Sequence, residues 1–148
     1  VKGPITMMGY FGDEKRTKET IENDGWLHSG DLAKMDKDGY YYIVDRKKDM
    51  ILTAGYNVYP AEIERVLAKH PSVSIAAVGK EEDKLKGEIA KAYVFLKESF
   101  NPTEDELINF CREHLAAYKC PRKVIFVNDV PKTSSGKIMR RELNKLDN

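Results

Sequence analysis

The segment "PKTSSGK", residues 131–137, contains the residue types best suited to chemistry in this sequence. Three hydroxyl side chains, a glycine and two lysines, the second of them Lys137, stand ahead of a short helical pattern. This combination is typical of sites that bind oxyanions or phosphates, because it supplies donors, a bendable backbone and a positive charge. A P-loop is excluded, since its spacing would require glycine in place of Pro131 and a hydroxyl in place of Ile138. Lys137 is therefore a candidate phosphate-facing lysine of another kind.

The charge distribution supports a small anionic ligand better than a nucleic acid. The whole chain has 25 basic and 24 acidic residues, a net charge of +1, which argues against binding nucleic acid by charge alone. From Ala117 onward, however, eight basic residues face three acidic ones. Such a run usually forms a solvent-exposed charged face, and the functional alternative is a site for a small phosphate-rich ligand.

The two cysteines and the hydrophobic pattern bear on location and metals. Cys111 and Cys120 are too few and too far apart for a zinc knuckle or a redox CxxC pair, so a reducing, cytoplasmic setting is predicted. No metal-ligating residues are predicted. No apolar run approaches the length of a membrane span, and no signal peptide opens the chain. Val1 is interpreted as a cut point within a longer protein.

Hydrophobic periodicity predicts the elements that must position these residues. An amphipathic helix is expected over 61–69, after Pro60, and a second over 104–118, where Thr103 and Glu106 form a capping-box pattern. Leu107, Cys111, Leu115 and Tyr118 would form the buried stripe of this second helix. Extended segments are predicted at 40–44, 50–53, 73–79, 89–97 and 123–127, and short helices at 14–21 and 140–146.

This order predicts an α+β fold: a small mixed sheet with packed helices plus a β-hairpin, preceded by a loop-rich tail. Hydrophobicity falls abruptly at the charged turn "DRKKD", residues 45–49, which is the candidate domain boundary. Residues 1–45 would then end one domain, and residues 46–148 would form the next.

Four motifs in order carry a family resemblance that covers essentially the whole chain. They are "DGWLHSGDLAKMDKDGYYYIVDRKKDMI", "GYNVYPAEIE", "YKCPRKVIFVNDVPKT" and "PKTSSGKIMRREL". Together they resemble the C-terminal portion of adenylate-forming enzymes, the superfamily of acyl-CoA synthetases, peptide-synthetase adenylation domains and beetle luciferases. Within it, "NVYPAEIE" and the final motif look most like long-chain fatty acid–CoA ligases.

The resemblance implies a role for residues on both sides of the charged turn. Asp31 matches the aspartate that grips the ribose hydroxyls of ATP, and Arg46 matches an arginine that also reaches the nucleotide. Ser29 stands where the family usually has threonine. Lys48 matches the hinge position, about which the C-terminal domain rotates. Lys137 matches the lysine that enters the site while a carboxylate attacks the α-phosphorus of ATP, where an ammonium offsets anionic repulsion.

The second half-reaction implies a second set of residues. Gly55 matches a glycine that lines the pantetheine channel, where glycine allows close backbone approach. Tyr118 and Arg122 fall where related enzymes contact CoA, through adenine stacking and phosphate pairing respectively. The implied partners are therefore ATP, Mg²⁺, CoA, a fatty acid and the protein's own N-terminal adenylation domain, with no nucleic acid and no transmembrane segment. Peripheral membrane association stays open, and the fragment alone is predicted to be inactive.

Two other functions compete with a fatty acid–CoA ligase. An adenylation domain feeding a carrier protein would use the same lysine loop, but no carrier segment follows it in this sequence. A non-catalytic module could use the basic C-terminal stretch to bind nucleic acid or membrane anions. Only Tyr118 and Phe126 interleave with those charges, and no nucleic-acid motif is present, which disfavours that function.

Overall fold

The structure is a computed structural model and describes residues 1–147. The chain divides into two compact units, Val1–Lys47 and Lys48–Asn148, and the division falls inside the charged segment "DRKKD". In chain order the elements are α1 (Glu14–Thr20), β1 (Asp31–Met35), β2 (Tyr41–Arg46), β3 (Ile51–Thr53), β4 (Tyr56–Val58), α2 (Pro60–Leu67), β5 (Val73–Asp83), β6 (Gly87–Leu96), α3 (Glu104–His114), β7 (Lys123–Phe126) and a C-terminal 3-10 helix (Arg140–Leu146).

The first unit contains one short helix and an antiparallel hairpin. Helix α1 is capped by Asp13, whose carboxylate accepts the backbone N–H of Arg16 at 2.9 Å. Strands β1 and β2 form a two-stranded sheet. Asp36 holds the turn between them by accepting from the backbone N–H of Tyr40 at 3.0 Å. The register of this hairpin makes Asp31 and Arg46 direct cross-strand partners.

The second unit is built on a five-stranded sheet. Its order is β4-β3-β6-β5, and β7 also pairs with β6. The β5–β6 pair is antiparallel and long, whereas β7 runs parallel to β6. The sheet is therefore mixed, and the predicted α+β class is confirmed.

Helices α2 and α3 pack on one face of this sheet. Helix α2 begins with Pro60 at its first position, and Ile63, Val66 and Leu67 are buried against the strands. Helix α3 begins with the predicted capping box, in which Thr103 and Glu106 each accept the other's backbone N–H. Because alternate residues of a strand point to opposite faces, Ala92 and Val94 of β6 contribute to this core.

The 3-10 helix covers the opposite face. Tyr93 of β6 and Ala77 of β5 are buried there together with Val130 and Leu143. Leu143 is fully buried and lies over Gly79, where an added Cβ would come within 3.5 Å of Leu143 Cδ1. The chain on both sides of the segment 131–137 is thus anchored in this second core.

The structure differs from the sequence prediction at the end of α3 and at two short strands. The helix ends at His114, and Leu115 is already extended, so Tyr118 is exposed and does not belong to a buried stripe. The chain leaves the helix early because it must rejoin the sheet, where the backbone N–H of Arg122 donates to Ala90 O at 2.9 Å. Strands β1 and β4 were not predicted, because both are short and carry polar residues.

Candidate active-site residues

Asp31 and Arg46, the two predicted nucleotide-binding residues, form an ion pair. Arg46 Nε lies 2.7 Å from Asp31 Oδ1, with side-chain exposures of 54% and 25%. The hairpin register places them together, and the backbone N–H of Asp31 also donates to Ser29 Oγ at 3.2 Å. An ionised carboxylate accepts several hydrogen bonds at once, so Asp31 keeps capacity for the two hydroxyls of a ribose. The pair is exposed enough to meet a ligand from outside the hairpin.

Lys48, the predicted hinge residue, is exposed and lies in the turn between β2 and β3. It is also the first residue of the second unit. An exposed turn residue at the division between two compact units has the local properties of a hinge, since its backbone can rotate without disturbing either core.

Lys137, the predicted catalytic lysine, is exposed on a loop that its own backbone holds together. Thr133 N donates to Lys137 O at 2.8 Å, and Lys137 N donates to Thr133 Oγ1 at 3.1 Å. Gly136, with φ of +80°, allows the tight turn between them. Below this turn, Lys132 and Ile138 form an isolated antiparallel bridge. The loop therefore presents the lysine on a short, defined base.

Gly55, predicted to line the pantetheine channel, lies in the two-residue turn between β3 and β4. The strand register pairs Thr53 with Tyr56, and both Ala54 and Gly55 have positive φ, 48° and 83°. Positive φ at both central residues is the pattern of a type I′ hairpin turn. A Cβ added at Gly55 would meet nothing within 4 Å in the described chain, so a side chain there would project into open space.

Tyr118, predicted to contact CoA, lies beside this turn. Its ring stacks on Tyr56, with centroids 4.6 Å apart and planes 27° from parallel, and both rings are exposed. The neighbouring Lys119 Nζ forms an ion pair with Glu62 Oε1 of α2 at 2.7 Å. That hydrogen bond raises the pKa of Lys119. Arg122 is exposed just before β7.

The structure thus brings two pairs of the predicted residues together. Asp31 is joined to Arg46 in the first unit, and the turn at Gly55 is joined to Tyr118 through Tyr56 in the second. Sequence reasoning missed Tyr56, although an aromatic residue directly after a turn glycine was a usable signal. Among residues 1–147, no group of three or more His, Cys, Asp or Glu side chains could hold a metal ion.

A family model supports the resemblance read from the motifs. The model described as "AMP-binding enzyme C-terminal domain" matches residues 62–137, just over half of the chain. This chain belongs to that family. The matched region of this AMP-binding enzyme C-terminal domain runs from the start of α2 to Lys137, whereas Asp31, Arg46, Lys48 and Gly55 lie before it.

Relatives of this family member extend the match to the whole chain. A 2-succinylbenzoate–CoA ligase of Bacillus cereus strain Q1 is 47% identical over 147 residues, 99% of this chain and 30% of the relative. The o-succinylbenzoate CoA synthetase (MenE) of Bacillus subtilis has been solved with ATP and magnesium ion, at 40% identity and a TM-score of 0.87 over 97% of this chain. The same enzyme solved with its acyl-adenylate intermediate matches 96% of this chain at a TM-score of 0.88.

The chain of this family member spans about 30% of the length of these relatives. None of the relatives named above is a fatty acid–CoA ligase, so they do not support the fatty acid that the motifs suggested. Within residues 1–147, no helix has both the length and the apolar character to cross a membrane.

Proposed function

We propose that this chain is the C-terminal part of an ATP-dependent carboxylate–CoA ligase. The enzyme converts a carboxylate and ATP into an acyl-adenylate and pyrophosphate, then transfers the acyl group to the thiol of CoA, releasing AMP. The observation that carries the proposal is the exposed Lys137 on its hydrogen-bonded loop, in a chain 47% identical to a 2-succinylbenzoate–CoA ligase. The first unit, Val1–Lys47, ends the large N-terminal domain, and the second unit, which begins at Lys48, forms the mobile C-terminal domain.

In the first half-reaction, Lys137 faces the reacting phosphate. The attacking carboxylate and the triphosphate are both anionic, and negative charge accumulates on the bridging and leaving oxygens. An ammonium at this centre lowers the barrier by offsetting that charge. The Lys132–Ile138 bridge closes the base of the loop. The Lys137 amine is therefore positioned with a smaller loss of conformational entropy than a disordered segment would require.

Asp31 and Arg46 hold the nucleotide in the same half-reaction. The carboxylate accepts from the ribose hydroxyls, while the guanidinium orients the carboxylate through the 2.7 Å contact and adds positive charge near the nucleotide. Lys48 follows directly and absorbs the backbone rotation that moves the second unit between half-reactions. No role for Mg²⁺ is assigned to residues of this chain.

In the second half-reaction, the turn at Gly55 and the stacked tyrosines meet CoA. Open space over Gly55 leaves room for the narrow pantetheine arm, which an added side chain would obstruct. The exposed Tyr118 ring, backed by Tyr56, offers a flat surface for the adenine of CoA, and Arg122 supplies a cation for its phosphates. Within the second unit, the two half-reactions therefore use separate elements, the Lys137 loop for the first and the turn at Gly55 with Tyr118 for the second.

We further propose that 2-succinylbenzoate is the carboxylate substrate. The support is that relatives at 47% identity are 2-succinylbenzoate–CoA ligases. Long-chain fatty acids, suggested by the motifs "NVYPAEIE" and "PKTSSGKIMRREL", are the competing class.

The test supplies the full-length protein with ATP, Mg²⁺ and CoA, and with either 2-succinylbenzoate or palmitate. We expect AMP, pyrophosphate and the succinylbenzoyl thioester, identified by mass spectrometry, and little product from palmitate. If only palmitate gave a thioester, the assignment of 2-succinylbenzoate as the substrate would be wrong, but the proposed CoA-ligase activity would stand. Absence of pyrophosphate release with every carboxylate tested would contradict the proposed function.

A further inference from the structure

Arg140 links the lysine loop to Asp49, the residue directly after Lys48. It begins the 3-10 helix, three residues after Lys137. Its Nη2 lies 2.7 Å from Glu64 Oε2 and its Nε lies 3.3 Å from Glu64 Oε1, a two-point contact with α2. Its Nη1 lies 3.4 Å from Asp49 Oδ2. One guanidinium thus joins the loop end, a helix of the core and the start of the second unit.

Glu64 is itself held by the sheet. Its Oε1 accepts the backbone N–H of Val78 in β5 at 2.9 Å, so its carboxylate is oriented before Arg140 reaches it. The side chains of Arg140, Asp49 and Glu64 are only 22%, 19% and 16% exposed. A two-point arginine–carboxylate contact that is largely shielded from water sets both distance and direction, unlike an exposed ion pair.

In the cluster formed by Arg140, Glu64 and Asp49, Asp49 provides the connection to the hinge. Asp49 directly follows Lys48, so any rotation at Lys48 moves Asp49 first. The contact to Arg140 fixes the base of the Lys137 loop relative to Asp49, so that the loop moves with the segment after the hinge. Asp49, next to the hinge, and Arg140, three residues after Lys137, are therefore in contact although 91 positions separate them in the sequence.

We propose that Arg140 is a positioning residue, which holds the Lys137 loop at a set orientation to the segment after the hinge so that rotation delivers the amine to the adenylation site. This inference rests on the proposed function. Arg140 touches neither ATP nor the carboxylate in this role, and it acts through Lys137.

The remainder of the 3-10 helix has its own anchors, which makes the role separable from folding. Leu143 is fully buried, and Asp147 accepts from Lys91 Nζ at 2.7 Å and from the Tyr93 hydroxyl at 2.8 Å. Replacement of Arg140 therefore leaves the middle and the end of the helix attached to the sheet. We expect the loop to shift while the core stays folded.

The experiment measures both half-reactions of full-length Arg140→Met and Arg140→Lys. Lysine keeps the charge but cannot make the two-point contact, so both variants should lose adenylation. We expect kcat for pyrophosphate release to fall on the order of 10- to 100-fold, as misplacement by about 1 Å would produce, while KM for ATP changes little. Thioester formation from supplied acyl-adenylate should stay within about twofold.

Arg141→Met is the matched control. Arg141 is the adjacent residue, 79% exposed, with a weak contact to Glu142 at 3.5 Å. It should match wild type in both half-reactions. Glu64→Gln provides a second test of the cluster from its other side, and should lower adenylation in the same direction.

Two results would overturn the inference alone. One is normal adenylation by both Arg140 variants when Lys137→Ala, measured in parallel, loses it. The other is an equal loss of both half-reactions, together with a lower unfolding temperature, which would mark Arg140 as merely structural. If Lys137→Ala itself adenylates at the wild-type rate, the proposed function fails and this inference fails with it.

Discussion

At the scale of single residues, each candidate is defined by what its immediate backbone allows. Asp31 and Arg46 meet because they are cross-strand partners, and Lys137 is presented because Gly136 closes the turn behind it. Gly55 is required by its own φ of 83°, and open space surrounds it. The effect of backbone strain can therefore be separated from a role in CoA binding by replacing Gly55 and a second glycine with positive φ.

Gly55→Leu should impair thioester formation while leaving adenylation near normal. The leucine side chain would fill the space left for pantetheine, so we expect transfer from supplied acyl-adenylate to CoA to fall about tenfold or more. It should also reduce the free energy of unfolding by about 1–2 kcal/mol, because φ stays positive. The measurement is the rate of each half-reaction in the full-length variant.

Gly39→Leu is the control for this strain. Gly39 has a φ of 87°, and a Cβ there would also meet nothing within 4 Å. It should show the stability loss without the specific loss of thioester formation. If Gly55→Leu and Gly39→Leu behave alike in both half-reactions, Gly55 has no role in the CoA channel.

At the scale of elements, the 3-10 helix is held by a charged cluster on the sheet. Burial alone would lower the pKa of Lys91, but its hydrogen bonds to Asp147 and Glu81 outweigh burial and raise it. The hydrogen bond from Lys91 lowers the pKa of Asp147, and those from Lys123 and Lys91 lower the pKa of Glu81. Burial and the bond to Asp147 raise the pKa of Tyr93 to about 12.

These shifts predict how Lys91→Met depends on pH. A lowered carboxylate pKa stabilises the fold above the unfolded value, and that stabilisation is lost as pH falls through the folded pKa. The raised pKa of Lys91 has the opposite sign and is fully effective at neutral pH and below. We therefore expect Lys91→Met to lose about 1–2 kcal/mol near pH 7.

The same difference should shrink at acid pH, below the normal carboxylate pKa values, because Asp147 and Glu81 become protonated in wild type. Thermal unfolding of the full-length wild type and variant at pH 7 and at successively lower pH measures it. A wild-type advantage that stays constant into acid would show that Lys91 stabilises by packing and not by charge.

The elements also show how far sequence alone could predict the molecule. Helices α2 and α3 and strands β5, β6 and β7 follow from apolar periodicity and from capping residues such as Thr103. Strand β4 was not predicted, since Asn57, two residues after Gly55, is a residue type that favours turns over strands. Contacts such as Arg140–Glu64 and Tyr56–Tyr118 join residues more than 60 positions apart. Local sequence patterns cannot predict such long-range pairs.

At the scale of the whole molecule, the chain is a part of the proposed enzyme. It spans about 30% of the relatives' length. Several apolar side chains of the first unit are almost fully exposed, among them Ile5, Met8 and Phe11 at 93%, 100% and 108%. Contiguous exposed apolar patches mark surfaces that a binding partner or another domain covers. We assign that cover to the remainder of the N-terminal domain.

The 148-residue chain alone should therefore be inactive. With ATP, Mg²⁺ and 2-succinylbenzoate, we expect no pyrophosphate release above background, because we assign the carboxylate and adenine pockets to the remainder of the proposed enzyme. The control is the full-length protein in the same assay. Turnover by the isolated chain would show that the site is built from these residues by themselves.

Lys137 is proposed to carry positive charge to the adenylation site, and the full-length variant Lys137→Ala removes that charge. The rate of pyrophosphate release should fall about a hundredfold or more, because one stabilising contact to the developing charge is lost. Thioester formation from supplied acyl-adenylate should remain. Lys132→Ala is the matched control, since the Lys132 amine on the same loop is paired with Asp129 at 2.8 Å. Adenylation by Lys137→Ala at the wild-type rate would contradict the account.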